Sequence, residues 1–258
     1  MATSETSADA QRVAGAPPVA PKLSIVVPAF NEASRIGDSI QKIESFLERL
    51  PFETEVIVVD DGSSDETAGV VSRLQFKGLR LIRKDVNHGK GFAVRTGVLA
   101  AAGEYVLFSD ADLSAPIEEL GKLLSAAQAQ NADVVVGSRA VDRSLIAIHQ
   151  SRVRELGGIL FNLMVRLLLG LNIQDTQCGF KLFKREKILP VFEKLTIVGF
   201  GFDPELLFLA SRAGLKILEI PVRWSHAEGS KIRFLRDGIR MFTDLVQIRW
   251  NSISGRYS

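Results

Sequence analysis

Three acidic clusters are the residues of this sequence best suited to chemistry. Asp110-Ala111-Asp112 is the first. Carboxylates at i and i+2 on extended chain project to the same side, so together they could hold one hard divalent cation. Such a cation could bridge diphosphate oxygens and neutralise the charge of a leaving group. A solvated turn with a helix cap would use the same residue types; position separates the two, because the pair follows the apolar run 105–108. Asp60-Asp61-Gly62-Ser63 is the second cluster. Asp and Ser cap helices and Gly suits a turn, yet Asp60 directly follows an apolar run, where its carboxylate could accept from a base or ribose group. Asn31-Glu32 is the third, just beyond Leu23-Ser24-Ile25-Val26-Val27 and Pro28.

Weaker signals surround these. Asn87-His88-Gly89-Lys90-Gly91 could be a flexible basic loop beside a diphosphate or a plain turn into a helix. It lacks Walker spacing, having no Ser or Thr after the Lys, and Val94 breaks the dinucleotide glycine fingerprint. Cys178 reads as a small packed residue, since no histidine is expected near it. Asp175, in the same loop, is the better candidate for function. Asp203 precedes Pro204 and could simply cap a helix. His88, His149 and His226 are scattered, with no cysteine beside them, which argues against zinc.

The elements that must position these residues follow from periodicity. Apolar, β-branched runs at 23–27, 56–59, 79–82, 105–108 and 134–136 read as strands. Between them, 36–49, 65–75, 91–102 and 117–130 read as helices, the first from Ile36, Ile40, Ile43 and Leu47 on one face. Strands separated by helices of this length make βαβ units and a mostly parallel sheet. Continuous rather than alternating apolar strands mean helices on both faces. Ligands of such sheets bind at the carboxyl ends of the strands, where all three acidic clusters fall. Beyond about 140 the pattern becomes a basic connection with Arg139, Arg143, Arg152 and Arg154, then an apolar helix over 156–171. A strand at 180–183, a helix over 204–212, a strand at 216–223 and an amphipathic helix over 234–250 complete the chain.

The 258 residues suffice for one large α/β domain, and a net charge of +2 gives no reason to expect a nucleic-acid partner. A single cysteine excludes an intramolecular disulfide and fits a reducing compartment. Residues 1–21, rich in Ala, Ser, Thr and Pro, are expected to be a disordered tail rather than a signal peptide. The domain is expected over 22–233, followed by an amphipathic helix and tail over 234–258. The stretch 156–171, broken by Asn162 and Arg166, is shorter than the roughly 20 residues of a membrane span. It could be a buried core helix or an interfacial one. The last helix carries Leu235, Ile239, Phe242, Val246 and Trp250 on one side, with Arg233, Arg236, Arg240 and Arg249 around it. That pattern suits an anionic membrane surface, and a helix packed on the domain is the alternative.

Taken together, the motifs resemble the family 2 glycosyltransferases of the GT-A fold, and more narrowly the dolichyl-phosphate glucosyl- and mannosyltransferases. The matching stretches are Ile25 to Glu32, Val58 to Asp65, Gly89-Lys90-Gly91, Asp110-Ala111-Asp112, Gly137-Ser138-Arg139, Asp175 to Lys181 and Glu228-Gly229-Ser230-Lys231. The last two are similar to the β-glucosyltransferase branch in particular. The resemblance implies an inverting hexosyltransferase that takes glucose from UDP-glucose, with GDP-mannose second, to a polyprenyl phosphate at the cytoplasmic face of a membrane. It implies that Pro28, Phe30, Glu32 and Asp60 line the nucleoside pocket with Asp110 and Ala111, and that Lys90 lies by the diphosphate. Asp112, with Asp110, would hold Mg²⁺ or Mn²⁺. Arg139 and Lys231 would meet phosphates, and Asp175 would face the sugar or the reacting centre.

Two departures stand out. Mannosyltransferase members often place a metal-binding Gln where this chain has Ser114, and glucosyltransferase members often carry a membrane span for which no segment here is long enough. Two other functions share the donor motifs: a soluble glycosyltransferase with a sugar or small hydroxylated acceptor, and a non-catalytic nucleotide-sugar-binding protein.

Overall fold

The computed structural model describes residues 20–148, 152–226 and 234–257. Most of the expected tail (1–19), His149 and Lys231 with its Glu-Gly-Ser neighbours lie outside them. The chain begins β1 (Leu23–Ala29), α1 (Ile36–Leu47), β2 (Thr54–Asp61), α2 (Thr67–Arg73), β3 (Leu79–Lys84), α3 (Lys90–Ala100) and β4 (Tyr105–Ser109). A 3₁₀ turn (Ile117–Glu119) leads into α4 (Leu120–Gln130), β5 (Val134–Ser138), β6 (Ile146–Ile148) and α5 (Arg152–Leu169). The remainder is β7 (Phe180–Lys184), α6 (Arg185–Lys194), α7 (Phe202–Arg212), β8 (Ile217–Pro221), β9 (Trp224–Ser225) and α8 (Phe234–Ile253).

Seven strands form one sheet in the order β3-β2-β1-β4-β7-β5-β8, and β6 pairs with β9. All neighbours in the large sheet are parallel except β7, which runs antiparallel to both β4 and β5. The inner strands β1, β4 and β5 are almost wholly apolar because both faces are covered, whereas edge strand β3 carries Arg80, Arg83 and Lys84 and is only half-buried. Side-chain alternation sorts the two faces. Val26, Ile57, Val59, Val106 and Phe108 pack with residues of α3, α5, α6, α7 and α8. Ile25, Val27, Val58 and Leu107 pack with residues of α1 and α4.

The register fixes where the site can be. Ala29 pairs with Asp60, and Val26 with Phe108. Asn31, Asp60 and Asp110 therefore leave the sheet at one edge, the carboxyl edge of the parallel strands. The expected strands and helices are present, with shifted ends: the helix expected over 156–171 starts at Arg152 and stops at Leu169 before Gly170, whose φ is +69°. Helix α6 has no counterpart among the expected elements. It contains Pro190, which as an interior residue argues against helix in any reading of sequence.

Candidate donor and acceptor site

At the carboxyl edge the first two βα loops are stitched together. Asn31, at φ 53°, accepts at its side-chain oxygen from the Ser64 and Asp65 amides, and its own amide donates to Ser63 Oγ. The Glu32 amide donates to Thr67 Oγ1 at 2.7 Å. Asp60 and Asp61 divide the two roles their sequence left open. The Asp61 carboxylate is a buried anchor for the loop after β3: it accepts from Asn87 Nδ2, the His88 amide and the Gly89 amide at 3.0, 3.0 and 2.7 Å. Asp60, completely buried, accepts at Oδ1 from the Ser63 amide, while its Oδ2 has no hydrogen-bond partner among the described residues. Arg83 Nε stands 3.8 Å from that oxygen, beyond hydrogen-bond length. A buried carboxylate oxygen without a donor costs free energy unless something fills the place. Pro28 and Phe30 are half-buried on the chain leaving β1, and the Glu32 carboxylate is paired with Arg35.

Asp110 and Asp112 do not lie on extended chain, so the expected alternation argument does not apply to them. The strand ends at Ser109, Ala111 is buried, and the Leu113 amide closes a turn on the Asp110 carbonyl at 3.2 Å, with Leu113 at φ 47°. Both carboxylates nevertheless act on the charges of Lys90 and Arg35. Lys90 Nζ lies 2.7 Å from Asp110 Oδ1. Burial pulls the Lys90 ammonium down, but Asp110, Asp203 and Asp112 outweigh it and hold its pKa above the ordinary lysine value. Arg35 is likewise raised, first by its hydrogen bond to Glu32. Gly179 closes the wall: its carbonyl accepts from the Asp110 amide at 3.0 Å, and a Cβ there would stand 1.9 Å from Asp110 Oδ2. Asp112 Oδ1 accepts from the Ser114 amide at 2.9 Å.

The donor set is therefore two carboxylates, with an ammonium already drawn to one of them. Among the described residues, no group of three histidine, cysteine or carboxylate side chains could hold a metal. Such a set fits Mg²⁺ or Mn²⁺ bound as these ions bind nucleotides, by one or two carboxylates with phosphate oxygens and water completing the shell.

Arg139 and Asp175, expected to act separately on phosphate and sugar, are joined. Arg139 Nε and Nη2 donate to the two Asp175 oxygens at 2.6 and 2.7 Å, and the Arg139 amide adds a third bond at 3.0 Å. Burial pushes the Asp175 carboxyl up, but the Arg139 charge and hydrogen bonds prevail and hold it below the usual carboxylate range. The Gln174 and Asp175 amides donate to Glu219, the Thr176 amide and hydroxyl donate to Asn162 of α5, and the Arg139 guanidinium lies 5.3 Å over the Trp224 ring. Cys178 is buried and its thiol is pushed up to about 12 by burial, consistent with a packing residue.

Three residues near the site carried no signal in the sequence reading or only a bland one. Arg35, three residues after Glu32, faces the acidic pair. Lys181 is fully buried in β7 and donates to Asp203 Oδ1 at 2.5 Å and to the Cys178 carbonyl at 2.6 Å. Asp203 is thus an ion-pair partner rather than only a cap. Burial raises its pKa, opposed by Lys181 and Lys90.

Outside the site, α8 turns Leu245 and Ile248 into the core, while Ile239, Phe242, Val246, Trp250 and Ile253 are exposed in one stripe. Helix α5, packed on α8, exposes Leu156, Ile159, Leu160, Leu163 and Leu167. Among the described residues, no helix is long and apolar enough to cross a membrane. A cavity of about 470 Å³ lined by Leu47, Leu50, Phe52 and Phe76 lies by the start of β2, and none of the candidate site residues lines it.

The glycosyl transferase family 2 model matches residues 24–192. The chain is 37% identical over 254 residues to dolichyl-phosphate β-glucosyltransferase of Saccharomyces cerevisiae, covering 91% of this chain and 76% of the relative. It is 37% identical over 251 residues to the Homo sapiens protein of that name, covering 92% and 77%. The Dictyostelium discoideum protein of that name is 35% identical over 247 residues, covering 90% and 75%. A solved structure of glucosyl-3-phosphoglycerate synthase from Mycobacterium tuberculosis with Mn²⁺, UDP-glucose and phosphoglyceric acid superposes with a TM-score of 0.66, at 22% identity, over 89% of this chain and 80% of that one. The complex of that enzyme with Mn²⁺, UDP and glucosyl-3-phosphoglycerate also gives 0.66, at 21% identity, over 88% and 80%. The fold is GT-A.

Proposed function

The chain belongs to glycosyl transferase family 2, and on that premise we infer that it is a hexosyltransferase that moves glucose from a nucleotide sugar to dolichyl phosphate. The observation that carries the site assignment is the gathering of Asp60, Asp110 and Asp112 at one edge of the sheet, with Lys90 Nζ 2.7 Å from Asp110 and with Asp60 Oδ2 buried and without a hydrogen-bond partner among the described residues.

UDP-glucose is the donor this site supports best. Asp60 Oδ2 has no donor among the described residues, and an imide N–H of a pyrimidine base would supply one. Pro28 and Phe30 offer apolar surface to the same base. A divalent cation held there by Asp110 and Asp112 would neutralise charge on the leaving diphosphate. The loop pinned by Asp61 presents Lys90 on the same side.

The acceptor needs little activation, because a phosphate monoester has a second pKa near 6 and is largely dianionic at neutral pH. Its oxygen attacks the anomeric carbon in line, the bond from that carbon to the diphosphate oxygen breaks with its electron pair leaving on the diphosphate, and a β-linkage results. What the protein must do is bring two anions together. Arg139, held rigid by Asp175 and stacked on Trp224, supplies fixed positive charge on the acceptor side. Lys231 is expected to join it from the stretch outside the described residues. The exposed apolar stripes of α8 and α5 support docking on a membrane surface, and the cytoplasmic face is the side proposed.

The test is transfer of labelled glucose from UDP-glucose into organic-extractable lipid, with dolichyl phosphate, Mg²⁺ and detergent, and GDP-mannose in parallel. Labelled lipid that a chelator abolishes is expected. Free glucose without labelled lipid would move the acceptor assignment to a soluble hydroxyl compound.

A further inference from the structure

The donor-side carboxylates carry a built-in counter-ion, and its placement has a consequence for how the metal enters. Lys90 Nζ sits 2.7 Å from Asp110 Oδ1, with its ammonium 5.2 Å over the Phe108 ring and 5.9 Å over the Phe200 ring. The backbone beneath it is fixed from two sides. The Gly89 amide is held by Asp61, and Gly89 itself, at φ +115°, has its Cα against the Val198 carbonyl, where a Cβ would approach to 2.5 Å. The Phe92 amide donates to the same carbonyl at 3.2 Å. Only the side chain of Lys90 is thus left to move. A second carboxylate, Asp203, held by Lys181 at 2.5 Å, also acts on the Lys90 charge.

We propose that Lys90 is an internal competitor of the divalent cation. In the donor-free protein its ammonium occupies the cation's place at Asp110, and the metal binds tightly only together with a nucleoside diphosphate. A dication and an ammonium cannot both take Asp110 Oδ1 at contact distance without strong repulsion. The diphosphate resolves the conflict by adding its own oxygens to the metal and its own negative charge to the space Lys90 faces, while Asp203 remains a partner for the displaced ammonium. The inference rests on the metal assignment above.

The experiment is Mn²⁺ titration of the full chain followed by electron paramagnetic resonance of free Mn²⁺, with and without UDP, for wild type, Lys90→Met, Lys90→Gln and Lys90→Arg, with Asp112→Asn as the reference for loss of the site. Without UDP, both uncharged variants should bind Mn²⁺ at least about tenfold more tightly than wild type, equivalent to about 1.4 kcal/mol. Lys90→Arg, which keeps the charge, should stay within about threefold of wild type. Uncharged variants that bind donor-free Mn²⁺ no more tightly than wild type would overturn the competitor role, as would Lys90→Arg binding as tightly as Lys90→Met. If those results coincide with normal Mn²⁺ binding in the presence of UDP, the metal assignment survives and only the competition falls. If no protein binds Mn²⁺ even with UDP, both fall.

Discussion

Replacing Lys181 with Met leaves Asp203 as an unpaired carboxylate in the core, and the size of the effect can be worked from the geometry. Both side chains are essentially inaccessible, and their charged atoms are 2.5 Å apart. At an effective dielectric near 20 the attraction is about 7 kcal/mol, most of which desolvation of the two ions cancels. The intact pair therefore adds little net stability, whereas breaking it costs about 3–5 kcal/mol, since the remaining charge keeps its desolvation penalty. The Cys178 carbonyl loses its donor in the same change. For a chain of this size each kcal/mol moves the melting temperature by about 2–4 °C, so Lys181→Met should melt about 6–20 °C lower. The double variant Lys181→Met, Asp203→Leu removes both charges and should recover most of that loss. Thermal unfolding followed by circular dichroism reads both. A single variant melting within about 2 °C of wild type, or a double variant no better than the single, would refute the reasoning.

Asp112→Asn should abolish lipid glucosylation with an unchanged melting temperature; near-normal transfer would remove the metal role of Asp112. Asp60→Asn replaces one of the two acceptor oxygens with a donor, and UDP affinity measured by calorimetry should fall at least about tenfold, with unchanged affinity removing Asp60 from the base pocket. Asp175 has its pKa lowered from 3.8, so the stability it contributes with Arg139 is complete above that value and is lost as pH falls through the lower folded one. The destabilisation by Asp175→Asn in urea unfolding should accordingly be constant from about pH 6 to 8 and shrink only below about pH 4; a loss of the difference near neutrality would contradict the pairing. Phe242→Ser with Trp250→Ser should reduce sedimentation with anionic vesicles while leaving the melting temperature in place. Removing all of α8 is the poorer test, since Leu245 and Ile248 belong to the core and Tyr257 donates to buried Glu205 at 2.6 Å. Vesicle binding unaffected by the surface pair would defeat the membrane-docking face.

The sheet and most helices were legible because their cause is local: apolar runs of strand length, and Ile36, Ile40, Ile43 and Leu47 at helical spacing, which are buried as that spacing requires. The acidic clusters were legible by position, since strand ends of a parallel sheet share one edge. What was not legible depends on contacts distant in sequence. Arg139 and Asp175 are 36 residues apart and are brought together at the carboxyl end of β5, beside the loop entering antiparallel β7. Lys181 gave no hint of a buried charge, because its partner lies 22 residues on at the start of α7. The side-by-side projection expected for Asp110 and Asp112 assumed a strand that has already ended. They sit instead in a turn that the Leu113 amide closes on the Asp110 carbonyl.

The reversed strand β7 divides the molecule's labour. Asn31, Asp60, Lys90 and Asp110 belong to β1, β2, α3, β4 and their loops, whereas Arg139, Asp175 and Trp224 belong to the segments around β5, β7 and β8. The two groups meet along the seam of the β4–β7 pairing, where the Asp110 amide reaches the Gly179 carbonyl. Evolution can rewrite what lies beyond that seam while keeping the donor half intact. For protein engineering the seam marks the cut: chimaeras joined between β4 and β5 should exchange acceptors and inherit the donor, provided the glycine facing Asp110 travels with them.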